Sequence, residues 1–398
     1  MLVGVVGGNL QGVEATYLAR KAGWEVMVVD RKPVVPASGL CDRFVQLDVT
    51  GEKDLGVVLG SVDLIIPALE NDRALACLEQ WTRNTGMPFA FDSAAYSVTS
   101  SKLKSNRLFT DLGLSMPALW PECSFPVIAK PATGSGSHGV SVFYDSKSLE
   151  KYIQKSDRNR VIQEFIPGPS YSLEVIGVPG RHVPLQVTDL EMDTAYDCKR
   201  VIAPTALSGA LIPYLEKISV ALADTLGLKG LMDVEVILHD NTLKVLEIDA
   251  RLPSQTPTAV YWSTGFNMVE VLGELFLNPA REFSIRITPL KGVVYEHIKV
   301  LPNMLEVVGE NIMTGTDTLF LLRDFFGADE AITNYRAGRD RWVATLIISD
   351  DTLETVWEKR RHVIEDIQRH FNLNLYRDLE PVANIRGYTC DQTGRRRC

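Results

Sequence analysis

The chain has 398 residues, 45% of them hydrophobic and 23% charged, a composition typical of soluble globular proteins with about two or three domains. Its 41 basic and 50 acidic side chains give a formal charge of −9, which excludes a general attraction to nucleic acid or to an anionic membrane. The opening residues MLVGVVGG form no signal peptide or membrane span, so we expect a cytoplasmic protein with small-molecule partners. The six cysteines are scattered without metal-ligand spacing, which predicts reduced thiols.

The first ninety residues alternate between strand and helix patterns. Apolar runs at 2–6, 25–29 and 62–66 predict buried strands, and helical patterns follow at 13–22 and 73–84. This alternation predicts a parallel sheet that helices cover on both faces. Functional side chains of such a sheet lie at the carboxyl ends of its strands.

The first glycine-rich turn lies at such a strand end. Its sequence GGNLQG, residues 7–12, nearly matches the dinucleotide fingerprint G-x-G-x-x-G, and Asp30 follows at about the right distance. Asn9 stands where a glycine normally lets a pyrophosphate approach the backbone, which argues against ordinary NAD binding. Two alternatives stay open: a purely structural turn and a contact with a small ligand.

A second glycine-rich stretch, TGSGSHG at residues 133–139, lies between predicted strands at 126–130 and 140–144. It lacks the ending and the helix of a Walker loop, so it is either a plain hairpin or a flap whose backbone N–H groups cover phosphates. Lys130 at the end of the preceding strand favours the flap, because it can place a positive charge on a phosphate.

The strongest signal is a predicted hairpin of strands at 231–238 and 242–249. In LMDVEVIL, Asp233 and Glu235 alternate with apolar residues, and in LKVLEIDAR the same pattern places Glu247, Asp249 and Arg251 on one face. Four carboxylates on neighbouring strands repel one another unless cations neutralise them. All-oxygen ligands of this kind suit Mg²⁺, and a solvated sheet face is the weaker alternative.

The segment LPSQTPT at residues 252–258 follows the hairpin, and its two prolines predict a rigid loop that holds a substrate. From about residue 285, predicted strands at 292–300 and 341–348 and a helix at 352–371 indicate a smaller α+β unit. The last twenty or so residues lack hydrophobic periodicity and predict a loose tail.

Taken together, these motifs resemble the ATP-grasp superfamily. The resemblance rests on Lys102, Lys130, the glycine-rich flap, the segment QEFI at residues 163–166 and the acidic hairpin. Within that superfamily, GGNLQG, YSLEV, YDC, LMDVEVI and EIDARLPSQTPT resemble the ligases that join 3-methylornithine to L-lysine in pyrrolysine biosynthesis. Asp249 stands where most ATP-grasp enzymes have Asn, and the tail extends beyond the family.

The resemblance implies an α/β ATP-grasp fold in several parts. They are a Rossmann-like (pre-ATP-grasp) N-terminal domain at 1–92, an ATP-grasp domain at 93–284 with a flap at about 115–168, a smaller C-terminal α+β domain at 285–376, and a tail at 377–398.

The resemblance also implies ATP and Mg²⁺ as cofactors, with two ions that Mn²⁺ can replace. Residues implied near the nucleotide are Asn9, Asp30, Asp48, Val49, Lys102, Lys130, Ser137, Gln163, Glu164, Phe165, Ile166 and Glu247. Implied metal ligands are Glu235, Glu247 and Asp249. Implied substrate contacts are Leu10, Gln11, Glu70, Tyr171, Ser172, Leu173, Asp233, Arg251, Leu252, Pro253, Ser254, Gln255, Thr256 and Glu296.

The implied reaction phosphorylates the carboxylate of (3R)-3-methyl-D-ornithine, and the ε-amine of L-lysine then attacks the acyl phosphate. Arg251 is the implied catalytic residue, because a guanidinium stabilises negative charge that develops on oxygens. Alternatives are another ATP-grasp ligase or carboxylase, a nicotinamide-dependent oxidoreductase based on the first glycine turn, and a non-catalytic ADP sensor. The intact carboxylates and Arg251 argue against the sensor.

Overall fold

The structure is a computed structural model, and it describes residues 1–51, 55–134, 136, 139–155, 159–278, 288 and 291–381. Among these residues, none of the helices has both the length and the apolarity needed to cross a bilayer. Cys41, Cys77, Cys123 and Cys198 are free thiols, as predicted, and Cys390 and Cys398 lie outside the described residues.

The N-terminal unit is the predicted parallel sheet, with strand order β3-β2-β1-β4. Its elements are β1 (Leu2–Val6), α1 (Leu10–Lys21), β2 (Glu25–Asp30), β3 (Arg43–Gln46), α2 (Leu55–Leu59), β4 (Leu64–Pro67) and α3 (Asp72–Thr85). The turn after β1 requires glycine at residue 7, where φ is +107° and an added Cβ would lie 2.3 Å from the Ala68 carbonyl oxygen. This close approach brings the turn after β1 beside the segment that follows β4.

The predicted helix over 93–112 is interrupted and forms α4 (Ser93–Thr99) and α5 (Lys102–Asp111). The flap follows as an antiparallel sheet with order β6-β5-β7. Its elements are β5 (Val127–Pro131), β6 (Ser141–Phe143), α6 (Ser146–Lys155) and β7 (Arg160–Glu164). The glycine-rich stretch connects β5 to β6, as the sequence predicts.

A large sheet carries the rest of the chain, with the main order β13-β12-β8-β10-β11-β14-β18-β17-β16. Its strands before residue 285 are β8 (Ser170–Val178), β9 (Arg181–Pro184), β10 (Thr188–Met192), β11 (Cys198–Ala203), β12 (Gly230–His239) and β13 (Thr242–Asp249). Later strands are β14 (Gly292–Leu301), β15 (Met304–Val307), β16 (Phe320–Phe325), β17 (Ala328–Thr333), β18 (Trp342–Asp350) and β19 (Leu375–Asp378). Helices beside it are α7 (Ile212–Leu226), α8 (Thr256–Thr264), α9 (Met268–Leu277), α10 (Asn311–Thr314) and α11 (Leu353–Phe371).

The expected domain boundary near residue 285 lies outside the described residues, and strands from both sides of it join the same sheet. Strand β11 pairs antiparallel with β14, with Arg200 opposite Glu296. Apolar side chains of α8 and α9 pack with the N-terminal sheet and α1 in one core. The N-terminal unit is therefore fixed against the large sheet.

The start of the tail differs from the expectation. Arg377 and Asp378 end strand β19, which pairs parallel with β15. The Asp378 carboxylate lies 2.6 Å from Lys199 Nζ and 2.6 Å from Arg200 Nη2. The sequence pattern missed this strand because its side chains are largely exposed, and long-range ion pairs rather than apolar periodicity hold it.

Candidate active site

The acidic hairpin forms as the period-two pattern predicts. Asp233 lies opposite Asp249 and Glu235 lies opposite Glu247 in the antiparallel pairing of β12 with β13. On the other face of these strands Val234, Ile248 and other apolar side chains are buried in a core. Burial of that face fixes which side chains point to the acidic side.

Strand β8 adds a carboxylate that sequence reasoning missed. Glu174 lies opposite Asp233 and is fully buried, and Ser172 lies on the same face of β8. The alternation within YSLEV is the signal that could have found Glu174. Tyr171 and Leu173, expected at the substrate, instead point into the hydrophobic core on the opposite face, so only their backbone is available to the acidic side. The carboxylate cluster consists of Glu174, Asp233, Glu235, Glu247 and Asp249.

Four members of the carboxylate cluster, Glu174, Asp233, Glu235 and Asp249, bind protons more tightly than free carboxylates do. Burial, followed by repulsion from neighbouring carboxylates, raises the pKa of Glu235 to about 7. Burial likewise raises the pKa of Asp249 to about 7, and the pKa of Asp233 lies well above its ordinary value. Burial is also the main cause of the raised pKa of Glu174, which is about 7. At neutral pH the cluster therefore favours any cation that replaces these protons.

Both predicted lysines lie at the carboxylate cluster. Lys102 Nζ is 2.5 Å from Glu247 Oε1 and donates to the Gly134 carbonyl of the glycine-rich stretch at 2.8 Å. Burial lowers the pKa of Lys130, against the opposing effect of the Glu247 carboxylate. Lys102 thus connects the flap to the hairpin, and both lysine side chains lie beside the carboxylate cluster.

The hairpin has the chemistry of a Mg²⁺ site but not yet its geometry. Its oxygen donors are of the type that Mg²⁺ prefers, and burial, with repulsion from Glu247, raises the pKa of Glu235 and of Asp249. Within the described ranges, however, no group of three acidic, histidine or cysteine side chains converges as a metal centre. The contact with Lys102 occupies one oxygen of Glu247, so metal binding requires that contact to loosen or be shared.

Arg251 bridges the hairpin to the N-terminal unit. Its Nη2 lies 2.6 Å from Glu70 Oε1 and 3.0 Å from Asp249 Oδ2. Gln11 Nε2 donates to Glu70 Oε1 at 3.3 Å, so Gln11, Glu70 and Arg251, each expected at the substrate, lie together. Arg251 Nε is buried and has no hydrogen-bond partner among the residues that the structure describes. A buried donor of this kind can donate to a polar ligand.

Glu14, a residue that sequence reasoning did not single out, fixes the predicted substrate loop at residues 252–256. Gln255 has a φ of +74°, an unfavourable conformation for a residue with a side chain. The buried Glu14 carboxylate of α1 accepts a hydrogen bond of 2.6 Å from the Thr258 N–H in the first turn of α8. Glu14 thereby caps α8 from another part of the chain and holds the loop that precedes it.

Glu310 is a second missed residue at this site. Burial raises the pKa of its carboxyl, and the side chains of Ser254 and Gln255 and the Arg251 guanidinium oppose that rise. Among the residues that the structure describes, its Oε2 atom is buried without a partner, as are Gln255 Oε1 and Asp233 Oδ1. These three atoms lie in three separate segments, and together with Arg251 Nε they outline a polar site.

The comparisons with known proteins agree with this geometry. A sequence model of the ATP-grasp domain matches residues 99–255. The 3-methyl-D-ornithine–L-lysine ligase of Methanosarcina mazei is 36% identical over 313 residues, which are 78% of this chain and 81% of that protein. The ligase of the same name from Methanosarcina acetivorans is 35% identical over 352 residues, 85% of this chain and 93% of that protein. The chain belongs to this family of ATP-grasp ligases.

The fold is that of ATP-grasp enzymes. The crystal structure of an ADP complex of N5-carboxyaminoimidazole ribonucleotide synthetase superimposes with a TM-score of 0.67 over 93% of this chain and 97% of that chain, at 18% sequence identity. The predicted fold class is thereby confirmed, and membership of an ATP-grasp ligase family decides against the nicotinamide-dependent alternative. Use of ATP follows from the family.

The structure does not bring Glu296 to the ligase site. Its fully buried carboxylate accepts hydrogen bonds from Arg200 Nε at 2.9 Å and from Arg360 Nε at 2.8 Å. Burial would raise the pKa of Glu296, but the two guanidinium groups hold it below its ordinary value. Arg360 belongs to α11, so Glu296 faces that helix and stabilises the packing of the C-terminal unit. The substrate contact expected of Glu296 is replaced by these ion pairs.

The remaining predicted residues of the N-terminal unit lie along the carboxyl edge of its sheet. Exposed Asn9 precedes α1, which begins at Leu10. The Asp30 carboxylate accepts the Gly8 N–H at 2.9 Å and so fixes the glycine turn. Asp48 accepts from the Thr50 N–H and hydroxyl, and Val49 beside it is buried. A nucleotide contact from these residues stays a prediction.

The segment QEFI lies at the end of β7, where the flap meets the large sheet. The N–H groups of Glu164 and Phe165 donate to the Ala118 and Pro126 carbonyls, and the Phe165 ring packs edge-on against Tyr196 at 5.7 Å between centroids. Gln163 and Ile166 are buried. Ser137, predicted at the phosphates, lies outside the described residues.

Magnesium is expected to stabilise the protein more at high pH than at low pH. Because the folded state raises the pKa of Glu235 and of Asp249 to about 7, the stability they contribute is lost as pH rises from the unfolded values through about 7. We expect Mg²⁺ to increase the melting temperature clearly at about pH 8 and little at about pH 5. Thermal unfolding at matched ionic strength measures this, and an equal increase at both pH values would contradict it.

Proposed function

We propose that this chain joins (3R)-3-methyl-D-ornithine to the ε-amine of L-lysine, giving an amide, ADP and phosphate, as a step of pyrrolysine biosynthesis. The observation that carries the proposal is the extent of the match to ligases of that name, which covers 81% and 93% of two relatives. The polar site between the N-terminal unit and the acidic hairpin supports it, because that site combines positive and negative groups suited to amino acids.

The first step forms an acyl phosphate. An oxygen of the ornithine carboxylate attacks the γ-phosphorus of ATP, and the bond to the ADP oxygen breaks. Negative charge is then spread over phosphoryl oxygens, which Lys102 and Lys130 stabilise from the carboxylate-cluster side. Glu235, Glu247 and Asp249 would hold Mg²⁺, as two ions that Mn²⁺ can replace, and the metal would neutralise negative charge on the phosphates.

The second step forms the amide. The ε-nitrogen of lysine bonds to the acyl carbon, phosphate leaves with its electron pair, and the nitrogen loses a proton. Arg251 lies where its unpartnered Nε can donate to a reacting oxygen while Nη2 stays on Asp249 and Glu70. A nucleophilic Ser or Cys is unnecessary, because the substrate amine supplies the nucleophile.

The amino acids would bind at opposite ends of the polar site. Gln11 and Glu70 at the edge of the N-terminal sheet offer an amide and a carboxylate to the α-end of lysine, which directs the ε-amine toward Ser254. Asp233 and Glu310 have buried unpartnered oxygens, which suit the amino groups of the ornithine part. In this proposal Glu310, rather than Glu296, contacts the ornithine part.

The proposal is tested by phosphate release from ATP and Mg²⁺ with amino acids supplied singly and in pairs. We expect sustained release only with 3-methyl-D-ornithine and L-lysine together. Equal release with bicarbonate, or with another pair of amino acids, would favour a different ATP-grasp activity.

Glu70→Gln is expected to raise KM for lysine by about 10- to 100-fold and to leave KM for ATP almost unchanged. The reason is that a neutral amide forms no ion pair with the α-ammonium of lysine, whereas the lysines expected at the phosphates, Lys102 and Lys130, do not contact Glu70. Steady-state kinetics with each substrate varied measure this. Glu79→Gln in α3 of the same unit is the matched control, since Glu79 pairs with Arg83 on its own helix. An equal rise in both KM values would contradict the assignment of Glu70 to the α-ammonium of lysine.

A further inference from the structure

Helix α4 is bound to the open end of the acidic hairpin, where β12 begins and β13 ends. The Asp92 carboxylate, which caps α4, also accepts the Lys229 N–H at 2.8 Å, one residue before β12. At the other end of the helix, the Thr99 hydroxyl accepts the Ala250 N–H at 3.0 Å, one residue after β13. Helix α4 is therefore fixed to both strands at the end of the hairpin from which Arg251 follows.

The hydrogen bond between Thr99 and Ala250 is buried. Thr99 is 2% exposed and Ala250 is 3% exposed. The pairing of β13 with β12 ends at Asp249 opposite Asp233, so the Ala250 N–H lies past the last pair of the ladder. A buried backbone N–H needs an acceptor, and here the Thr99 hydroxyl takes the place of a strand partner.

The peptide that Thr99 holds lies between two side chains of the site. It joins Asp249 to Ala250, and Arg251 follows directly. Because a peptide unit is planar, a fixed N–H direction fixes the orientation of the whole unit and of the side chains that flank it. Asp249 Oδ2 lies 3.0 Å from Arg251 Nη2. Thr99 therefore acts on the direction of the guanidinium through the backbone.

Tyr96 shows that this face of α4 lies against the site. It precedes Thr99 by one helical turn, is buried, and packs against Phe91 at 5.1 Å between ring centroids. Burial, followed by the Glu70 carboxylate, raises the pKa of Tyr96, and the Arg251 guanidinium opposes that rise. The face of α4 that carries Tyr96 and Thr99 is therefore in the electrostatic surroundings of Glu70 and Arg251.

We propose that Thr99 is a positioning residue that fixes the peptide between Asp249 and Arg251 and so aims the Arg251 guanidinium at the reacting oxygen. The inference rests on the proposed function for the role of Arg251. A guanidinium that stabilises charge developing in the transition state contributes to kcat more than to substrate affinity. Loss of the Thr99 hydroxyl is therefore expected to lower kcat and to change the KM values little.

The first test is the steady-state kinetics of Thr99→Val, which keeps the branched shape but loses the acceptor. We expect kcat to fall by about 10- to 100-fold and each KM to change by less than about threefold. Thr99→Ser keeps the hydroxyl and is expected to restore most of kcat. Thr333→Val is the matched control, because the Thr333 hydroxyl is also buried and accepts the Tyr335 N–H at 2.9 Å, but in the C-terminal unit.

The second test is amide hydrogen exchange of the full chain without ligands, followed by mass spectrometry of the peptide that contains Ala250. We expect exchange at Ala250 to be faster by about tenfold or more in Thr99→Val, because the N–H loses its acceptor. Thr99→Ser and Thr333→Val should exchange there like the wild-type chain. Thr99→Ala also lacks the acceptor and replaces Thr99→Val if that variant fails to fold.

Three results would each overturn the proposal: equal kcat in Thr99→Val and Thr333→Val, unchanged exchange at Ala250 in Thr99→Val, or a kcat of Thr99→Ser as low as that of Thr99→Val. Failure of the proposed function has a different signature, since the wild-type chain would then form no amide from the two amino acids. In that case the exchange rates at Ala250 still decide whether the Thr99 hydroxyl fixes this peptide.

Discussion

Glu247→Gln is expected to lower the rate of ligation by at least about 100-fold while the fold stays intact, because it removes a charged oxygen donor that faces the nucleotide phosphates. The effect of this substitution on stability has two opposing parts. Glu247 is paired with Lys102 at 2.5 Å, so its neutralisation removes an attraction as well as repulsion. Relief of repulsion is expected more clearly for Glu235→Gln in metal-free buffer, since burial first, and repulsion from Glu247 and Asp249 second, raise the pKa of Glu235 to about 7.

Asp240→Asn is the control for this comparison. Asp240 lies in the turn of the same hairpin, is highly exposed, and has a positive φ that asparagine adopts readily. Product formation measured at saturating ATP should be near normal in Asp240→Asn and nearly lost in Glu247→Gln. Normal ligation by Glu247→Gln would remove that residue from the phosphate and metal site.

Arg251→Lys is expected to lower kcat/KM by about 100- to 1,000-fold even though the positive charge is kept. The guanidinium contacts Glu70 and Asp249 through Nη2 and presents Nε to the polar site at the same time. An ammonium group at the end of a flexible chain cannot satisfy these directions together. The residual charge is also expected to leave the melting temperature less affected than in Arg251→Ala.

Arg20→Lys is the matched control for the guanidinium substitution, because Arg20 pairs with Asp42 on the surface of the N-terminal unit. Its kinetics should equal those of the wild-type chain. Wild-type kcat and KM values for Arg251→Lys would show that Arg251 only balances the charge of the carboxylate cluster.

The sequence predicted the parts of the site that depend on local periodicity. Asp233 and Glu235 on one strand and Glu247 and Asp249 on the next must share a face once the hairpin forms, and the structure places them opposite one another. The parallel N-terminal sheet was predictable for the same reason, since its strands alternate with helices along the chain.

Residues brought in by long-range packing were missed or misplaced. Glu14 and Glu310 reach the substrate loop from α1 and from the segment before α10, and no spacing along the chain connects them to residues 252–256. The expectation for Glu296 failed because the sequence pattern of an acidic residue within an apolar strand is the same for a contact with a substrate amine and for an ion pair with arginine. Its two arginine partners come from β11 and α11, far from it in sequence.

The central claim is tested most directly by mass spectrometry of the product formed from ATP, Mg²⁺, 3-methyl-D-ornithine and L-lysine. The account predicts a single condensation product with one ADP and one phosphate per amide, and fragments that place the amide on the ε-nitrogen of lysine. An α-amide would contradict the orientation in which Gln11 and Glu70 bind the α-end of lysine. Absence of any condensation product, with ATP bound and the fold intact, would contradict the proposed function itself.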